Sequence, residues 1–151
     1  MVRLVDMPAV GRGFIARLGM PERRSQPWTR PVDASRRRVA VVSTAAVSRR
    51  GEKPFTWHAR DYRSFLKDER DLVMTHVAVE YDRTAWQQDM NAIIPLDRLI
   101  EMADAGEIES VAEEHFAFLG SSDPKQMQRS AMDVAERLRT DGVNTVFLIP
   151  V

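Results

Sequence analysis

Apolar positions along the chain alternate between two periods. Leu4, Val5, Val10, Phe14, Ile15 and Leu18 recur at roughly helical spacing, with Asp6 placed to cap and Pro8 in the first turn. Gly11 and Gly13 weaken that helix, each by about 1 kcal/mol relative to alanine, so the spacing predicts a short helix or an irregular arm. Pro21, Pro27 and Pro31 then sit among charged residues and predict an extended connector through residue 35, with Trp28 pinned to the body. Residues 38–45 form an unbroken apolar run, the pattern of a strand buried on both faces in a parallel sheet. Ser43 and Thr44 fall at its carboxyl end.

Residues 48–71 are rich in charge and turn formers, long enough to suggest a functional loop. Residues 71–79 read as a second strand, with Leu72, Met74, His76 and Ala78 on one face and Val73, Thr75, Val77 and Val79 on the other. A helix follows Pro95 over 96–105 and stops at Gly106. Residues 110–119 fit either helix or strand. Asp123 caps the last helix, Pro124 takes its first position, and Met127, Ala131, Val134, Ala135 and Leu138 form one stripe. Gly142 ends it, and 143–149 read as a buried strand. Strand and helix alternate, so the expected fold is α/β: a three-layer domain, flavodoxin-like or Rossmann-like, with a mainly parallel sheet. Residues 1–35 form an arm and connector, and 36–151 the domain.

The chain has 151 residues, 44% hydrophobic and 29% charged, which suits one globular domain. Its 22 basic and 22 acidic residues cancel, giving no electrostatic signal for nucleic acid or a membrane surface. There are no cysteines, so disulfides, thiolate metal sites and a cysteine nucleophile are excluded within this stretch. No run approaches the roughly 18 to 20 apolar residues of a membrane span, and no secretion signal is evident; a cytoplasmic location is expected. Neither the dinucleotide glycine motif nor the P-loop is present.

Two stretches carry a resemblance. Asp141-Gly142-Val143, Val146, Leu148, Pro150 and Val151, together with residues 91–106 (Asn91-Ala92-Ile93-Ile94-Pro95-Leu96-Asp97-Arg98-Leu99 onward), resemble the selenoprotein B family of glycine, sarcosine, betaine and D-proline reductases. Denser agreement runs through 41–51, 76–99 and 142–151. The resemblance implies that the strand ending in Pro150-Val151 runs into a redox motif, a selenocysteine or cysteine followed two spacers later by a second cysteine. A selenocysteine is therefore expected just after Val151, with the sheet incomplete at its C-terminus and the present chain inactive. It further implies a small amine or amino-acid substrate held on a pyruvoyl group of a partner, a selenolate attacking the activated carbon, and resolution by a thioredoxin-like or other thiol or selenol reductant. Low pKa keeps such a nucleophile ionised at neutral pH.

Candidate side chains follow. His76 is either a core histidine or a general acid or base. Asp82 and Arg83 form either a loop ion pair or, through Arg83, a carboxylate clamp. Ser43 and Thr44 either bind an anionic substrate or cap the next turn. Arg50 and Asp89 are further substrate-binding candidates, Arg50 otherwise being a solvated loop charge. His58 and His115 have no second ligand at metal spacing, so no metal site is expected. Arg36-Arg37-Arg38 is too short a basic run to argue nucleic-acid binding. Two rival functions remain: a non-catalytic binding module whose exposed final strand pairs with a partner or a second copy, and a selenol or thiol peroxidase. Apolar surface left uncovered by missing strands predicts a homo-oligomer or marginal stability.

Overall fold

The computed structural model describes residues 3–17, 28–78 and 83–151. β1 (Arg38–Ser43) is the axis of the main sheet, flanked on one side by β5 (Ser110–Val111) and β6 (Glu114–Phe118) and on the other by β7 (Thr145–Ile149). All three pair with it in parallel; β3 (Tyr62–Leu66) adds to β6 antiparallel. β2 (Val47–Arg49) and β4 (Leu72–Met74) form a separate antiparallel pair.

Alternation along β1 divides the core into two layers. Val39 and Val41 face a cluster built with Leu96 and Leu99 of α3 (Leu96–Asp104), Ile93, Ile94 and Val111. Ala40 faces the other way, against Phe116, Phe118 and the α4 (Gln128–Thr140) residues Val134 and Leu138. One helix on each face of a mainly parallel sheet is the expected three-layer α/β architecture. Of the other α-helices among the described residues, α1 (Ala9–Arg17) precedes the sheet in sequence and α2 (Thr84–Gln88) lies between β4 and α3.

Helix boundaries follow the chemistry of their ends. Asp123 accepts from Lys125 N–H ahead of Pro124, and Gly106 and Gly142 leave their helices at φ of 73° and 72°, the left-handed region that glycine enters without steric cost. The ambiguous stretch 110–119 resolves as β5 and β6. Val134 and Leu138 of the expected stripe are buried, whereas Ala131 and Ala135 are exposed.

Four expectations need correction. The presumed loop 48–71 contains most of β2 and all of β3; β3 was masked by its polar residues, because an edge strand buries only Phe65 fully. The strand expected over 71–79 is only Leu72–Met74 and pairs antiparallel with β2, outside the parallel sheet; Thr75 still bonds the Ala46 carbonyl in register with that pair, and pairing stops where Ala46 enters the left-handed region. Trp28 is 85% exposed and pins nothing. β7 is not buried: Val146, Phe147 and Leu148 are all exposed, since neither α3 nor α4 reaches over the strand at the sheet's edge. Asp6 pairs with Arg3 at 2.8 Å. Leu18, residues 21–27 and Val79 to Asp82 lie outside the described residues.

Candidate active site at the carboxyl ends of the parallel strands

β1, β6 and β7 run the same way, so their carboxyl ends converge on one edge of the domain, where α/β proteins place ligands. Ser43 closes β1, fully buried, and its Oγ accepts from Ala45 N–H at 3.2 Å. This is the turn-capping alternative for that hydroxyl. Thr44 is more deeply involved. Its N–H donates to the Ile149 carbonyl at 3.0 Å, and its Oγ1 accepts from Val151 N–H at 2.9 Å. The same hydroxyl lies 3.3 Å from the Val151 carbonyl oxygen. On the other side Gly120 N–H donates to the Thr44 carbonyl at 3.3 Å.

Beyond Thr44 the chain bends sharply. Ala46 adopts a φ of 52° while completely buried, a conformation costing an alanine about 1 kcal/mol or more. Its carbonyl accepts both the N–H and the hydroxyl of Thr75, each at 2.9 Å. His76 comes next, buried, with Nδ1 accepting from Ala78 N–H at 3.1 Å. An accepting Nδ1 places the neutral ring's proton on Nε2. Arg83 donates from Nη2 to the carbonyls of His76 and Ala78, both at 2.7 Å. The guanidinium thus braces the segment that carries His76. Asp82 is outside the described residues, so the proposed Asp82–Arg83 pairing has no geometry here.

Met74, Trp86 and Met90 pack on the core cluster that also receives Ile149 and Val151. Residues near His76 and Arg83 in sequence and the end of β7 therefore pack on the same core cluster, of which Val41 and Ala45 are members. Two candidates stand apart in role. Arg50 is an exposed partner of Asp71 at 2.7 Å, fastening the β2–β4 end. Asp89 accepts from the N–H and the side-chain amide of Asn91, at 2.9 and 3.0 Å; the backbone bond, then the side-chain bond, holds its carboxyl below the usual range.

Gly120 is the residue sequence reasoning passed over. A Cβ there would stand 2.9 Å from Thr44 Cβ and 3.3 Å from the Val151 carbonyl oxygen. Its only sequence signal is a glycine directly after an apolar strand. His115 was also underrated: it is completely buried, and burial lowers its pKa to about 4.

A shallow cleft of about 550 Å³ lies at the amino end of β6, lined by Glu113, Glu114, Asp133, Glu136, Arg137 and Asp141 among others. None of the candidate residues borders it, and within its lining Glu114 pairs with Arg137 while Asp141 pairs with Arg38. Among the described residues no group of three or more His, Asp or Glu could hold a metal ion, and no helix is long and apolar enough to cross a membrane.

A family model described as glycine/sarcosine/betaine reductase selenoprotein B matches residues 3–150. No curated protein and no solved structure matches the chain.

Proposed function

Because the chain belongs to the glycine/sarcosine/betaine reductase selenoprotein B family, we propose that it supplies part of a reductase subunit whose attacking selenolate or thiolate is the residue following Val151. The substrate is a small amine or amino acid, and the reaction is reductive cleavage of the bond between its nitrogen and the adjacent carbon. A dithiol or selenol–thiol donor of the thioredoxin type supplies the two electrons. A pyruvoyl group on a partner subunit would hold the amine and activate that carbon.

The observation that carries this reading is the fixed end of β7. A nucleophile gains most when its backbone is rigid and its side chain can be reached. Ile149 and Val151 are tied to Thr44 by three hydrogen-bonding contacts, and Val151 is partly exposed. A residue attached there leaves the sheet at the edge where the strand ends converge. His76 is the proton-handling candidate on the adjoining segment, and Arg83 keeps that segment in place through its two carbonyl contacts. Ser43 and Thr44 act on the chain itself in this account; Arg50 and Asp89 fasten loops.

Two proteins are compared in the test: the 151-residue chain and a longer product read in frame past Val151, each given candidate amines and a dithiol together with the pyruvoyl-bearing partner. The longer product should cleave amine and the shorter one should not. Steady turnover by the 151-residue chain would refute the assignment.

A further inference from the structure

Neighbouring residues of a parallel strand point their N–H and C=O groups to alternate sides, and both groups of one residue face the same neighbour. The N–H of Thr44 faces β7 and bonds the Ile149 carbonyl. In an unbroken ladder its carbonyl would accept the N–H of Val151. It does not, because β1 leaves the sheet here: Ala45 bridges antiparallel to Leu119, Ala46 turns into the left-handed region, and the Thr44 carbonyl swings to Gly120 N–H. The Thr44 hydroxyl takes the vacated role, accepting from Val151 N–H at 2.9 Å with the Val151 carbonyl at 3.3 Å.

We propose that Thr44 is a positioning residue: its hydroxyl extends the β1–β7 ladder by one residue and so sets the direction in which the chain leaves Val151, a role resting on the reading of that next residue as the nucleophile. Gly120 is the second half of the device. A Cβ at 120 would lie 2.9 Å from Thr44 Cβ, 3.1 Å from its Oγ1 and 3.3 Å from the Val151 carbonyl oxygen, so any side chain there would push the hydroxyl off the strand end. One threonine thus ties the ends of β1, β6 and β7 together, and only a glycine lets β6 come close enough.

Removing the hydroxyl leaves the last peptide of β7 held through Ile149 alone. Small misplacements of a reacting group cost up to about a hundredfold in rate. Substrate binding made elsewhere is untouched, so the loss falls on kcat and not on KM.

The test uses the full chain read past Val151, as wild type, Thr44→Val, Thr44→Ser and Gly120→Ala. Thr44→Val keeps the shape and deletes the hydrogen bonds; Thr44→Ser keeps the hydroxyl. Two experiments are run on each: amide hydrogen exchange at Val151, and steady-state kinetics giving kcat and KM for amine cleavage. Thr44→Val and Gly120→Ala should speed Val151 exchange about tenfold or more and lower kcat about ten- to a hundredfold with KM little changed. Thr44→Ser should restore both. An active wild type whose Thr44→Val variant keeps its kcat and its Val151 protection overturns the role of Thr44. A wild type with no amine cleavage overturns the functional reading instead, and the exchange data then still decide whether Thr44 fixes the strand end. Should Thr44→Val fail to fold, Gly120→Ala against Thr44→Ser gives the same decision.

Discussion

Nδ1 of His115 accepts the N–H of Val41 at 3.0 Å. The contact repairs a gap in the sheet. β1 pairs with β5 at Arg38 and Val39 and with β6 at Val42 and Ser43, but between them the neighbouring chain bulges. Val41 N–H, at the centre of the core, would lose its ladder partner there, and a buried unpaired N–H costs about 1–3 kcal/mol. The imidazole supplies the acceptor. His115 is therefore a structural histidine, beside Phe65 with ring centroids 6.0 Å apart.

The role makes stability depend on pH. Burial is the main reason that His115 in the folded protein resists protonation down to about pH 4, against 6.5 for an ordinary histidine. The unfolded chain takes up its proton as pH falls below 6.5, and the folded chain only near 4. Stability should therefore fall between those values, by roughly 3 kcal/mol from this group, and level off for it below. Urea unfolding at pH 7, 5.5 and 4.5 measures the slope. His115→Gln, which keeps an acceptor without the titration, should lower stability at pH 7 and flatten the decline; an unchanged slope would show that another group is responsible.

Arg38 is the second anchor of β1. Its Nη2 lies 2.6 Å from Asp141 Oδ1, its Nε donates to the Asp141 carbonyl at 2.7 Å, and its Nη1 reaches the Val111 carbonyl at 3.1 Å. The other Asp141 oxygen accepts from Glu113 N–H at 2.9 Å. Burial opposes ionisation of Asp141, but the Arg38 side chain and the Glu113 N–H together hold its pKa below the ordinary value. Arg38→Met should cost about 1–3 kcal/mol at neutral pH, visible as a lower thermal midpoint. Because the Asp141 pKa is depressed, its share of stability is present above the ordinary carboxyl pKa and disappears as pH falls through the folded value. The gap between wild type and Arg38→Met should thus narrow in strong acid, leaving the share carried by the Arg38 bonds to the Asp141 and Val111 carbonyls.

β7 presents its apolar side chains to solvent: Phe147 is 48% and Leu148 67% exposed. Register with β1 places Phe147 on the α3 face and Val146 and Leu148 on the α4 face, and no charge lies within the strand. Such an edge promotes association. The 151-residue chain should self-associate at micromolar concentration, and Leu148→Lys should shift it toward monomer in light scattering. A wild type that stays monomeric would count against this, and with it the binding-module reading of the strand.

Much of the architecture was legible because burial and helix-end chemistry are local. The run at 38–43, the Pro95-to-Gly106 helix and the Asp123-Pro124 start all follow from short-range rules. What escaped depends on partners distant in sequence. β3 looks like a loop because an edge strand tolerates Arg63 and Ser64; the apolar run of β7 signals burial although Val146, Phe147 and Leu148 are exposed. Within the site, Ser43 and Thr44 were placed correctly at a strand end, yet the Thr44 contact to Val151 spans 107 positions. Gly120 and His115 matter for backbone groups across the sheet, which no spacing rule reveals. Arg38 gave no sign that, unlike its neighbours Arg36 and Arg37, it pairs with Asp141.

The most direct test of the central claim is to find where the reactive nucleophile sits. The product read in frame past Val151, made with selenium supplied, is alkylated with iodoacetamide under reducing conditions at a pH low enough to spare ordinary thiols, then mapped by mass spectrometry. A single early label is expected on the residue following Val151, carrying the selenium isotope pattern or, for cysteine, the mass of an alkylated thiol. A label that appears first at another position, or no alkylatable residue after Val151, would contradict it.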